Sequence, residues 1–224
     1  MEYAYFIGAL IGLAIWLIFF ILRKDLRKEI LFGSLLAAPF GFSGSLFIPE
    51  YWDPITLFDL ASKAKFTIEG ILFCFSFGGI ATVVFEVFTR KKLVKIKPNY
   101  KTHILPYFSF IAMIIILEFM FPDKSIYNAS IAPLLLAIYI GYKRRDLIKQ
   151  MLFGGIIFTL LYLLFFIIFN SIFPDYVEKV YTLKNLLGIN ILGTPIEEFI
   201  FAFAAGTAWS AFYEYVKGYK TKNL

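Results

Sequence analysis

The sequence predicts an all-α membrane protein with about seven transmembrane helices, arranged as two parallel three-helix repeats joined by a linker helix, a 3+1+3 layout. Three observations predict it. Apolar segments of membrane-crossing length recur along the chain, basic residues gather on alternate connections between them, and the second half of the chain repeats the pattern of the first.

Hydrophobic residues make up 60% of the 224 residues and charged ones 17%, with 28 Phe and 14 Tyr; the mean hydropathy is +0.76. Soluble domains rarely have this composition. A helix crossing the hydrocarbon needs about 20 mostly apolar residues, and short charged stretches separate segments of that kind. The first, Tyr3–Leu22, stops at Arg23, and the second, Ile30–Ile48, runs from Lys28 to Pro49. The third, Thr67–Thr89, lies between Lys65 and Arg90, and the fourth, Ile104–Phe121, follows the long basic connection. The fifth, Tyr127–Tyr142, is the shortest, which leaves six spans plus a re-entrant piece as the alternative. The sixth is Met151–Phe173 and the seventh Pro195–Val216. The units expected are residues 1–97 for the first repeat, 98–126 for the linker helix and 127–224 for the second repeat.

The net charge of +6 could point to nucleic acid, but its distribution points to a membrane. Arg23, Lys24, Arg27 and Lys28 lie between spans one and two. Arg90, Lys91, Lys92, Lys95, Lys97 and Lys101 lie between three and four, and Lys143, Arg144, Arg145 and Lys149 between five and six. With Lys217, Lys220 and Lys222 in the tail, 17 of the 22 basic residues fall on one side and five on the other. The positive-inside rule then puts the N-terminus outside and the C-terminus in the cytoplasm of a multi-pass cell-membrane protein. The basic loops read as topology signals and contacts to anionic lipid, with no nucleic-acid partner. Glu2 is the only early charge and no small-residue cleavage site follows, so the first helix is expected to be retained. Cys74 is the sole cysteine, so no intrachain disulfide forms.

Three ordered matches carry the repeat. "RKDLRKEILFG" at Arg23–Gly33 matches "RRDLIKQMLFG" at Arg144–Gly154, "PEY" at Pro49–Tyr51 matches "PDY" at Pro174–Tyr176, and "IEGILFCFSFG" at Ile68–Gly78 matches "IEEFIFAFAAG" at Ile196–Gly206. The last match continues to Glu86 against Glu214. With three spans per unit and one between, the second unit enters the membrane in the same direction as the first. Glu69 and Glu197 then lie at equivalent depths near the outer ends of spans three and seven, where a cavity between the halves could present both.

A capping role competes with chemistry for these acids. Thr194-Pro195-Ile196-Glu197 fits a capping box, with Thr194 as N-cap and Glu197 reaching back to a backbone N–H. Glu69, however, persists where Phe66 stands in place of that Thr, and Glu198 has no capping role. Adjacent helical residues point about 100° apart, so the Glu197–Glu198 pair requires a polar pocket at the helix start. Glu118, about one turn from the end of span four, is a weaker candidate that could snorkel or pair. Glu86 and Glu214 are expected to form ion pairs with Arg90 and Lys217. Asp25 and Asp146 are expected to moderate the charge of the basic loops. His103 is expected at the interface, and one histidine without cysteine partners makes no zinc site, so no metal is expected. Neither a Gly-x-Gly-x-x-Gly nucleotide fingerprint nor a Gly-x4-Gly-Lys-Ser/Thr phosphate loop is present. Span seven lacks the lysine that a retinal Schiff base needs, and no aspartate-rich diphosphate motif occurs.

The doubled Ile-Glu helix starts, the run "LLGINILGTPIEEFIF" at Leu186–Phe201 and the loop "PEYWDPITLF" at Pro49–Phe58 resemble the lycopene cyclase domain family. Its members carry Pro-x-Glu-Glu or Pro-x-Glu-Asp signatures in two three-helix units and close the linear ends of acyclic carotenoids into rings. Pro195, Glu197 and Glu198 match that signature, whereas Thr67 and Gly70 replace its proline and second acid beside Glu69. The resemblance implies a redox-neutral isomerisation. An acid protonates the terminal double bond, the neighbouring alkene attacks the carbocation, and a base removes a ring proton. Glu197, Glu198 and Glu69 would share the proton transfers, with Phe73, Phe201, Phe203 and Glu118 at the substrate. The net reaction demands no cofactor, although reduced flavin serves other cyclases of the same conversion and is left open. The partners implied are the bilayer and a hydrophobic carotenoid or other isoprenoid. The rival reading is a small-molecule or proton-coupled transporter of the same 3+1+3 layout, with the glutamates in a central pathway.

Overall fold

The computed structural model describes residues 3–96 and 103–223; Glu2, Lys97 and Lys101 lie outside the described residues. The chain is mostly helical. Its principal helices are α1 (Ala4–Leu22), α2 (Arg27–Ala37), α3 (Ile68–Thr89), α4 (Leu105–Met120), α5 (Ser125–Lys143), α6 (Ile148–Ile172), α7 (Ile196–Trp209) and α8 (Phe212–Lys217). Among the described residues, five stretches are long and apolar enough to cross a membrane: Ala4–Leu22, Lys24–Phe47, Ile68–Thr89, Ser125–Lys143 and Arg145–Ile172. The apolar α4, with 16 residues, is shorter. The expected fifth span is therefore not the shortest, because α5 reaches 19 residues.

The third helix of each half is the hub. α3 packs against α1 and α2, α7 packs against α5 and α6, and α3 touches both α6 and α7. Small residues permit the close approach that helices in lipid need to gain dispersion energy. A Cβ on Gly33 would sit 1.8 Å from Thr82 Oγ1, and one on Gly154 would sit 2.3 Å from Ser210 Oγ. Gly33 and Gly154 are equivalent in the sequence repeat, and so are Thr82 and Ser210.

Arg23 and Arg144 show the same correspondence. Arg23 grips Asp25 through two nitrogens, at 3.0 and 2.8 Å, and donates to the carbonyls of Glu86 and Lys91. Arg144 grips Asp146 at 2.7 Å through two nitrogens and donates to the carbonyls of Glu214 and Tyr219. Arg23 thereby supplies a cation and donors to the C-terminal end of α3, and Arg144 to that of α8, where carbonyls are left over. The strands that follow, Lys91–Lys95 and Tyr219–Asn223, pair antiparallel with Lys91 opposite Asn223 and Lys95 opposite Tyr219.

Four local expectations change. The second apolar segment leaves α-helix at Ala37 and continues as a 3-10 turn over Ala38–Ser43, because Pro39 has no N–H for the ladder. The last segment breaks between α7 and α8, where Ala211 adopts φ −129°. The capping box is absent. α7 begins after Pro195 with no side-chain cap, and Thr194 Oγ1 instead accepts from Asn170 Nδ2 at 3.0 Å. In the first half the cap is Thr67, not the Phe66 position; its side chain accepts the N–H of Gly70 at 2.8 Å. Finally, no ion pair joins Glu86 to Arg90 or Glu214 to Lys217 among the described residues. Both acids are buried and share Gln150 Nε2 as donor. His103 is exposed and donates its backbone N–H to the carbonyl of Val216.

Candidate active site

The two hub helices start on either side of an apolar cavity. Its first lobe, about 180 Å³, is lined by residues including Tyr5, Tyr51, Trp52, Phe73, Tyr162, Tyr181, Glu198 and Phe201. A second lobe of about 200 Å³ shares Phe73, Tyr162 and Phe201 and continues to Phe77, Phe110 and Trp209. Among the described residues, Glu198 is the one carboxylate in the lining of either lobe. Residues Glu198, Phe201, Ala205 and Trp209 reach the cavity at helical spacing along one face of α7.

Three hydroxyls converge on Glu198. Tyr51 donates to Oε1 at 2.6 Å, Tyr162 to Oε2 at 2.8 Å and Tyr181 to Oε1 at 3.1 Å. Tyr51 comes from the loop of the first half, Tyr162 from the middle of α6, and Tyr181 from the loop before α7. Backbone bonds hold the two loops together, with Asp53 N–H donating to Val180 O and Thr182 N–H to Tyr51 O, both at 2.8 Å. A phenol can donate or accept, so the set can keep hydrogen bonds to a carboxylate or a carboxylic acid by turning one hydroxyl. Burial and the neighbouring Glu198 charge push the Tyr51 and Tyr181 phenols well above their ordinary range, with burial the larger cause. These tyrosines stay neutral donors.

Glu69 and Glu197 sit elsewhere and resemble each other. Glu69 Oε1 accepts the backbone N–H of Leu57 at 2.7 Å, and Glu197 Oε1 accepts that of Leu187 at 2.7 Å. Glu197 also accepts the Tyr127 hydroxyl at 2.9 Å. Each carboxylate anchors the loop preceding its hub helix. At Gly70, the counterpart of Glu198, an added Cβ would meet Thr67 Oγ1 at 2.7 Å and Tyr5 Oη at 3.1 Å. The first half thus fills with a tyrosine the space that the second half gives to an acid.

Of the expected substrate contacts, Phe73 and Phe201 line both lobes. Phe203 does not; it faces a separate groove with Leu134, Met151 and Thr207, because two residues along a helix turn it to the other side. Glu118 also lies away from the cavity, accepting from Ser125 Oγ at 3.2 Å. Sequence reasoning missed the tyrosines. Tyr51 stood in the quoted loop, and its repeat equivalent Tyr176 also lines the cavity. Nothing local marked Tyr162 among its aromatic neighbours.

No match was found among curated proteins or among solved structures. Residues 123–216 match the family model described as lycopene cyclase, a stretch that contains Tyr162, Tyr181 and Glu198.

Proposed function

We propose that the chain is an integral-membrane carotenoid cyclase that closes the acyclic ψ end group of a lycopene-type substrate, with Glu198 as its acid–base residue. One observation carries the assignment. Among the described residues one carboxylate, held by three tyrosines, projects into a mostly apolar and aromatic cavity. The seven-span 3+1+3 layout, with the basic loops in the cytoplasm, belongs to the same proposal and rests on the repeat and the charge distribution.

In the proposed reaction Glu198 delivers a proton to the terminal double bond of an end group held in the cavity. The neighbouring alkene attacks the resulting carbocation and forms the ring bond. Glu198, now ionised, takes a ring proton and is restored, so proton count and oxidation state are unchanged. Faces of Phe73, Phe201 and Tyr162 can stabilise the cation by about 0.5–2 kcal/mol each in a site shielded from water. No step calls for a cofactor. A transporter would need a polar path across the helices, and no observation favours it.

Pigment analysis of lycopene-accumulating cells expressing the chain tests the reading. Ring-bearing products are expected from the wild type, and their absence at good membrane accumulation would sink the activity. Glu198→Gln should reduce ring formation by about 10²–10⁴-fold, the usual contribution of a positioned acid–base group. Undiminished product from that variant would remove Glu198 from the mechanism while leaving the activity standing.

A further inference from the structure

At the other end of α3, about 24 Å along the helix from Gly70 at 1.5 Å per residue, three more glutamates meet. Glu29 from α2, Glu86 from α3 and Glu214 from α8 each bring a carboxylate oxygen within 4.8 Å of the other two. All are at most 1% exposed. Gln150 from α6 completes the group, donating Nε2 to Glu86 Oε1, to Glu214 Oε1 and to the carbonyl of Ser210. Glu29 and Gln150 occupy equivalent places in the repeat, as do Glu86 and Glu214, so the cluster joins the two halves.

Hydrogen bonds satisfy this cluster only in part. Both oxygens of Glu29, Oε2 of Glu86, Oε2 of Glu214 and Oε1 of Gln150 are buried without a hydrogen-bond partner. Arg23 and Arg144 form their ion pairs with Asp25 and Asp146. Glu86 also lies in the last turn of α3. A helix C-terminus carries partial negative charge and favours a cation, not a further anion. The Gln150 amide oxygen is an uncharged acceptor, buried and unpartnered, on the same amide whose Nε2 reaches Glu86 and Glu214.

We propose that Glu29, Glu86 and Glu214, with the Gln150 amide turned to present its oxygen, form a binding site for a hard divalent cation that fastens the two halves together at the end opposite the cavity. The donors are all oxygen, the set hard cations take. Ligands on opposite sides of one ion are about 4.6–5.2 Å apart for calcium and about 4.0–4.2 Å apart for magnesium. Carboxylate oxygens within 4.8 Å of one another fit inside the span of a calcium ion's ligands. The proposal is independent of the cyclase reading.

The test uses the full chain purified in detergent, stripped with chelator and titrated with manganese chloride, with bound ion read by electron paramagnetic resonance. One bound Mn²⁺ per chain is expected, displaced by calcium chloride, together with a calcium-dependent rise in melting temperature. Glu29→Gln places in the first half the residue the second half already has, so it should fold; it should weaken binding at least tenfold. Gln150→Glu adds a fourth carboxylate and should tighten it. No stoichiometric Mn²⁺ signal from the wild type, or an affinity unmoved by both substitutions, would overturn the proposal and leave the carboxyls as a proton-sharing cluster.

Discussion

Glu197 and Glu198 are neighbours in sequence, yet one accepts a backbone N–H and a phenol outside the cavity while the other meets three phenols inside it. Their substitutions should therefore differ in kind. Glu197→Gln keeps an acceptor for Leu187 N–H and exchanges a charged hydrogen bond for a neutral one, a loss of about 1 kcal/mol of stability. Ring formation per folded molecule should stay within about tenfold of wild type, against the 10²–10⁴-fold loss expected of Glu198→Gln. Equal losses from both, at matched protein levels, would show that the pair acts as one acid–base unit. The raised phenols of Tyr51 and Tyr181 give a second test. Because these groups keep their protons in the folded state above the pH at which unfolded tyrosine loses them, stability should fall as pH rises beyond about 10. Tyr51→Phe should flatten that alkaline limb in a thermal melting series.

Gly33 and Gly154 set how closely α2 approaches α3 and α6 approaches α7. A methyl group on Gly33 meets Thr82 at 1.8 Å, and the nearby Gly78 carbonyl at 3.0 Å leaves no free direction. Gly33→Ala should destabilise by about 1–3 kcal/mol, the usual cost of overpacking, and should lower the melting temperature in detergent. Adding Thr82→Ala should recover part of that loss, which a double-mutant cycle would measure as coupling. Full additivity of the two substitutions would mean that the helices part elsewhere. The doubled arginines work at the same scale. Arg144→Leu removes donors from the carbonyls of Glu214 and Tyr219 and leaves Asp146 without its partner, so it should loosen the strand Tyr219–Asn223, visible as faster amide exchange.

The two stretches that match each other in sequence differ where the cavity lies, with Gly70 in the first and Glu198 in the second. The charge distribution predicts its placement in the membrane, with Lys92 and Glu178 on opposite faces. Reporter fusions at those positions should report cytoplasm for Lys92 and the outside for Glu178; the same side for both would break the parallel arrangement along with the proposed topology. Both halves are required for the cavity, since Tyr51 and Phe73 come from the first and Tyr162, Glu198 and Phe201 from the second. The family match, in contrast, covers residues 123–216, so a second half alone would carry the acid without the Tyr51 hydroxyl.

The sequence by itself determined the apolar segments, their approximate ends and the repeat, because each rests on local composition or on direct comparison of the chain with itself. It also located the acids at the start of α7, since charge in so apolar a context has few explanations. Which of those acids faces a cavity was a tertiary decision. Successive helical residues diverge by about 100°, and only the packing of α3 and α6 against α7 fixes which direction is enclosed. Tyr51 and Glu198 meet across 147 positions, and Glu86 and Gln150 across 64. No local pattern records such pairings. The ion pairs expected of Glu86 and Glu214 failed for the same reason, because Arg90 and Lys217 were near in sequence while Glu29 and Gln150 were near in space.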